Sequence, residues 1–225
     1  MSIIRSILDN DLYKFTMQQF ALAKFPDEMV EYRFINRKLD RKFFKEFVHA
    51  LNAEILCMGD LSLTSAEFDY LKSECPFLTT GYLCFLKNYR YNPSEVEVKL
   101  TEEKDLEISI KGPWVTTILW EVPLLALISQ LYFEIVDKEW TMDGQNLIAF
   151  DKADRLQEDE VCFADFGTRR RRSFESQELF IKQAYLNGAV DHSGLQNYFV
   201  GTSNVFLAMK YKVKPIGTMA HELFM

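Results

Sequence analysis

The sequence predicts an α/β protein in which an N-terminal α+β region leads into parallel β-α units. Residues 161 to 217 read as strand, helix, strand, helix and strand, in VCFADF, SFESQELFIKQAYLNGA, NYFVG, SNVFLAMKY and KVKPIG. Short links between such elements are the signature of parallel βαβ units. Earlier, EVEVKL and LEISI alternate apolar with polar residues on either side of the charged turn TEEKD, as a hairpin does. The late strands also share an ending, running out into FGTRRRR, VGTSN and IGTMAHE.

From Asn10 to Lys24 an acid-capped segment carries Leu12, Phe15, Phe20 and Ala23 at roughly helical spacing. MVEYRF sets Val30, Tyr32 and Phe34 against Glu31 and Arg33, the alternation of a half-buried strand. Residues 40 to 52 place Phe43, Phe44, Phe47, Val48 and Leu51 on one helical face. Thr64 and Glu67 form a capping box for a further helix through Leu71. After Gly112 and Pro113 the chain turns helical through about Ile135, and again between Asp143 and Leu156. The α+β region with its helical connection therefore covers 1–140, and the parallel β-α region covers 141–225.

Composition limits what such a chain can bind. With 225 residues, 48% hydrophobic and 14% aromatic, it can bury a sizeable core. The formal net charge of −7 argues against nucleic acid and anionic membrane as partners. Cys57, Cys75, Cys84 and Cys162 lack CxxC spacing and only His49, His192 and His221 are present, so a zinc site has no support. A reduced, cytoplasmic chain is the simplest reading, since MSIIRSILDND has no apolar core of a signal peptide. Glu121 and Pro123 interrupt the most apolar window, VTTILWEVPLLALISQLYF, which favours a buried helix pair over a membrane span.

The four arginines from Arg169 to Arg172 are the local exception in this acidic chain. Each guanidinium stays charged and needs anions or water. In parallel α/β folds ligands sit beyond the carboxyl ends of the strands, so the three Gly-Thr endings would converge on one site. Gly167 would let backbone approach a ligand closely, with the next hydroxyl free to donate. A solvated basic turn is the competing reading of the run.

DNDLYKFTMQQ, GPWVTTILWEVPLLALISQLY, DFGTRRRRS, FVGTSN and GTMAHE together resemble nicotinate phosphoribosyltransferase in its bacterial form, and in the same order. The resemblance implies a type II phosphoribosyltransferase fold, an N-terminal α+β domain followed by an irregular α/β barrel, assembled as a homodimer. It implies synthesis of nicotinate mononucleotide and pyrophosphate from nicotinate and 5-phosphoribosyl 1-pyrophosphate, a step of NAD salvage. ATP hydrolysis would be coupled through a phosphohistidine, with Mg2+ accompanying the phosphates.

By that resemblance Arg169 and Arg170 match the phosphoribosyl pyrophosphate ligands, with Arg171 and Arg172 less clear because alternate residues of an extended segment point apart. His221 matches the phosphorylated histidine, which Glu222 could orient. Thr218 matches a nicotinate contact, and Tyr13 matches the tyrosine that stacks on the pyridine ring, expected from the partner subunit. Ser203 and Asn204 would line the same site or cap the helix that begins there. Asp165 is a candidate for magnesium. His49, His192 and the aromatic runs read as structural.

Family members run much longer than 225 residues, and three strands cannot close an eight-position barrel. The sequence is therefore expected to be an N-terminal portion, inactive alone and serving as a folding and dimerisation unit. A sibling enzyme acting on nicotinamide or quinolinate is the other alternative.

Overall fold

Before its first helix the chain runs as an irregular segment with Ile4, Ile7 and Leu8 wholly buried. The computed structural model describes residues 2–36, 42–190 and 197–218. Helix α1 spans Leu12–Lys24 and buries Leu12, Tyr13, Phe15 and Met17. Asp11 occupies its N-cap without making a side-chain cap bond. Its carboxylate instead accepts a hydrogen bond from the Ser203 hydroxyl at 2.7 Å, so tertiary structure takes the group that local capping would have used.

Three antiparallel strands follow the expected alternation: β1 (Met29–Arg33), β2 (Val96–Leu100) and β3 (Leu106–Pro113), ordered β1-β3-β2. Tyr32 stands opposite Ile110 and Val98 opposite Ile108. Leu106, Ile108 and Ile110 point inward, as the period of two requires. Helix α2 covers Lys45–Met58, starting later and running further than the Phe43 to Leu51 stripe suggests. Phe43 precedes it, ahead of the extended N-cap Phe44, and still packs on Phe47, ring centroids 4.9 Å apart.

Helix α3 (Ser65–Glu74) opens with both halves of the expected capping box. Glu67 N–H donates to the Thr64 hydroxyl at 3.2 Å, and Thr64 N–H donates to the Glu67 carboxylate at 2.8 Å. Helix α4 (Thr80–Asn88) was not expected; Thr79 caps it by accepting from Tyr82 N–H. The apolar window forms a short helix α5 (Trp114–Thr117) and a longer α6 (Glu121–Ile135). Together, Trp114–Ile135 is long and apolar enough to cross a membrane, but 61% of its most apolar window is buried. Leu119, Trp120, Val122 and Leu127 lie wholly inside the protein.

Helix α7 (Gln145–Glu158) packs against α8 (Phe174–Val190), between which lies strand β4 (Phe163–Asp165). Strand β5 (Phe199–Thr202) pairs with β4 in parallel, Asp165 opposite Thr202, and helix α9 (Val205–Tyr211) follows it. The third strand expected at KVKPIG is reduced to one parallel bridge, Thr202 to Pro215. Pro215 has no N–H to extend a ladder. Thr202 N–H donates to the Lys214 carbonyl at 3.2 Å, and Ile216 N–H returns to the Thr202 carbonyl at 2.9 Å. Gly201 makes this pairing possible: its φ is +138°, and a Cβ there would stand 2.0 Å from the Lys214 carbonyl oxygen.

Buried apolar residues form two clusters. The larger joins α1, α2, the antiparallel sheet and α6, and the smaller gathers Ala153, Phe174, Ile181, Ala184, Phe199 and Leu207 around β4 and β5.

Candidate functional site

Beyond the carboxyl ends of β4 and β5 the chain packs polar side chains against one another with little water access. Thr168–Arg170 forms a 3₁₀ turn closed by Arg170 N–H donating to the Gly167 carbonyl at 3.0 Å. Three residues per turn eclipse positions i and i+3. Thr168 and Arg171 therefore face inward while Arg169 and Arg170 face out.

Arg171 differs from the expectation that it contacts substrate, because its side chain is only 1% exposed. Its fork clasps Asp9, with Nη1 2.7 Å from Oδ1 and Nη2 2.8 Å from Oδ2, and Nη1 also reaches Gln177 at 3.3 Å. The Phe174 ring lies 5.0 Å from its guanidinium carbon. Arg172 is likewise engaged, donating to the Asp137 carbonyl at 3.0 Å and lying over Phe133 and Trp140. An extended run would have alternated these side chains; the 3₁₀ turn sorts them differently.

The two outward arginines differ in their surroundings. Arg169 donates to Glu121 at 3.1 Å, with Asp11 3.8 Å from its Nε, while Arg170 is exposed. Glu121 also pairs with Lys14, whose side chain is wholly buried. Burial raises the Asp11 carboxyl above its ordinary pKa, opposed by the Ser203 hydroxyl and the Arg169 charge.

Gly167 N–H donates to Asp165 Oδ1 at 3.1 Å. A Cβ on Gly167 would come within 2.9 Å of that oxygen, so the turn needs a residue without one. Asp165 Oδ2 accepts from Gln177 at 2.8 Å and from the Thr202 hydroxyl at 2.7 Å. That carboxylate is a hub of the turn more than an open metal ligand. Among the described residues, no three His, Cys, Asp or Glu side chains gather as a metal cage.

Ser203 and Asn204 are both buried here. Asn204 serves as the α9 cap, accepting from Leu207 N–H at 3.0 Å, and as a donor to Asp9 at 2.7 Å and Thr168 at 3.3 Å. The two readings of this residue are thus compatible.

Beside this network opens a cavity of about 510 Å³ whose walls include Tyr13 and Thr16 of α1, Phe77, and Lys214 to Thr218. Tyr13 and Thr218 both line it. Arg169 lies within electrostatic reach of Tyr13. His221, Glu222 and His192 lie outside the described residues. Sequence reasoning passed over Asp9 and Gln177, and it left the hydroxyl after Gly167 free for a ligand, where the structure encloses Thr168 and has its hydroxyl accept from Gln177 and Asn204. The spacing of Thr168 and Arg171 could have pointed to the turn, but nothing local marks Asp9 as its partner.

An α+β region leading into parallel β-α units with arginines at a strand end is the architecture of a type II phosphoribosyltransferase, and solved structures share it. A crystal structure from Saccharomyces cerevisiae has a TM-score of 0.93 and 38% identity, covering 99% of this chain and 56% of that one. The nicotinate phosphoribosyltransferase from Porphyromonas gingivalis has a TM-score of 0.90 and 36% identity, covering 98% of this chain and 55% of its own.

The chain belongs to the nicotinate phosphoribosyltransferase family: residues 8–129 match the nicotinate phosphoribosyltransferase N-terminal domain and residues 161–225 match the nicotinate phosphoribosyltransferase family. It is 46% identical to the nicotinate phosphoribosyltransferase of Methanosarcina acetivorans over 99% of this chain and 57% of that protein. The chain thus spans a little over half the length of the curated relatives it matches.

Proposed function

We propose that this chain carries part of the active site that transfers a phosphoribosyl group from 5-phosphoribosyl 1-pyrophosphate to nicotinate, in NAD salvage. The observation that carries this reading is the pair Arg169 and Arg170, turned outward on the 3₁₀ turn after β4, with Arg169 within electrostatic reach of Tyr13 in the cavity that Thr218 also lines.

Guanidinium forks match phosphate oxygens two at a time. Arg169 and Arg170 bind the pyrophosphate and take up negative charge as the bond from C1′ to its oxygen breaks and the electron pair leaves with pyrophosphate. The pyridine nitrogen of nicotinate then donates its lone pair to C1′. Positioning and electrostatic stabilisation supply the rate. The Tyr13 ring offers a flat face to the pyridine and Thr218 a hydroxyl, while Ser203 acts from behind through Asp11.

His221 receives a phosphoryl group from ATP, with Glu222 orienting its ring, and this couples ATP hydrolysis to the transfer. Mg2+ travels with the substrate phosphates, because the carboxylates that face the turn are already committed. The protein works in the cytoplasm as a homodimer. A parallel barrel needs about eight strands, so these 225 residues alone turn over no substrate; nicotinate mononucleotide formed by the purified chain would refute that.

Calorimetric titration with pyrophosphate tests the central assignment. Arg169→Ala combined with Arg170→Ala should weaken binding at least about tenfold, the scale of one lost charge-assisted bond pair. Unchanged affinity would remove the assignment. Intact mass after incubation with magnesium and ATP, with His221→Ala as control, tests the phosphohistidine: an acid-labile phosphate adduct absent from the variant is the expected result. A substrate panel on a longer form, set against nicotinamide and quinolinate, tests the choice of base.

A further inference from the structure

The geometry points to Asp9 and Arg171 as a positioning pair that holds Arg169 and Arg170 in their anion-binding orientation, an inference that rests on the assignment of those two arginines above. Arg171 is the residue directly after the 3₁₀ turn, and its fork is closed bidentately on Asp9, a residue 162 positions earlier in the chain. Neither side chain has more than 1% exposure. A substrate in open solvent cannot reach either group, so they act through what they hold.

They hold four separate stretches of chain at one point. Asp9 Oδ1 accepts from Asn204, which follows β5, as well as from Arg171. Asn204 and Gln177 both donate to the Thr168 hydroxyl, at 3.3 and 3.1 Å. Gln177, on α8, also accepts from Arg171. The turn is thus pinned from inside at Thr168 and Arg171, the two positions that share its inner face, which leaves Arg169 and Arg170 only the outer one. Planar forks bind phosphate by direction as well as charge, so a turn free to rotate would present the same charge with less affinity.

Arg171 Nε is the one part of this guanidinium without a hydrogen-bond partner. The pair is therefore not optimised as a stabilising ion pair alone, which agrees with a role in orientation. A buried pair replaced on both sides by apolar groups often leaves stability intact. That property separates positioning from stability.

The experiment measures pyrophosphate affinity by calorimetry, with melting temperature and circular dichroism, on the 225-residue chain carrying Asp9→Leu with Arg171→Met. The expected result is a folded protein melting close to the unsubstituted one but binding pyrophosphate at least about tenfold more weakly. Arg171→Lys is the second variant: it keeps the charge, loses the fork, and should also bind about tenfold more weakly while folded. Unchanged affinity in whichever of these variants folds would overturn the inference. Arg169→Ala with Arg170→Ala serves as the reference. If that variant binds as well as the unsubstituted chain, or the unsubstituted chain does not bind, the arginine assignment fails and the positioning role falls with it. Loss in the reference with full affinity in the pair variants sinks the positioning role alone.

Discussion

The antiparallel sheet region and the parallel strand region are buried for different purposes. In the first, Leu106, Ile108 and Ile110 of β3 share one large apolar cluster with Phe47, Leu51 and Trp120. In the second, buried apolar residues are few, while Asp9, Asp165, Thr168, Arg171, Gln177, Thr202, Ser203 and Asn204 are enclosed with polar partners. Apolar burial is non-directional and rewards area. Hydrogen-bonded burial fixes direction, and leaving a member unpaired is costly. The first region supplies a platform, and the second spends enclosed polar groups on aiming a turn.

The sharpest way to break this contrast is Arg171→Ala, which strands the Asp9 carboxylate in the interior. Removing one partner of a buried pair costs about 3–5 kcal/mol, read as a lower urea midpoint, and pyrophosphate affinity should fall with it. Leu51→Ala, at a residue with no exposure, should cost about 3 kcal/mol by the same assay. Pyrophosphate affinity of the folded fraction should then stay unchanged, and a loss there would mean the two regions are not separable. Thr64→Ala removes one half of the α3 capping box and should cost about 1 kcal/mol with no effect on anion binding.

The smallest effect concerns Glu95, which accepts from the Thr116 hydroxyl at 2.7 Å and from Trp120 Nε1 at 3.0 Å. Burial raises its carboxyl above the ordinary 4.5 despite those two donors. The folded state therefore holds this proton more tightly than the unfolded state. That contribution is complete below pH 4.5 and is lost as pH rises through the folded value. Urea midpoints measured upward from pH 4.5 should show a decline that Glu95→Gln flattens. An identical slope in the variant would assign the decline to other groups.

The platform was largely legible in the sequence because its signals are local. Alternation in EVEVKL and LEISI gave the hairpin, and Thr64 with Glu67 gave a helix start that forms as written. Helix α4 escaped notice because Thr80–Asn88 has no long apolar stripe, only Tyr82, Leu83 and Leu86. At the site, motif position singled out Arg169 and Arg170, which are the two exposed arginines of the run. The inward turn of Arg171 was not legible, because it depends on a 3₁₀ geometry and on an acid 162 residues away. KVKPIG read as the strand that closes the β-α series, yet Pro215 leaves it only a bridge.

The contact of Asp9 and Asp11 with Asn204 and Ser203 also sets a schedule for synthesis. These partners are separated by 195 and 192 residues, so the carboxylates of Asp9 and Asp11 leave the ribosome long before Asn204 and Ser203 exist to receive them. At about 5–20 residues per second that interval is roughly 10–40 s. During it Ile4, Ile7 and Leu8 already have earlier-made members of their apolar cluster, such as Phe47 and Leu51, to pack with, while the two carboxylates lack these partners. The arginine turn therefore gains its final orientation only when residues 9 and 11 meet partners made much later.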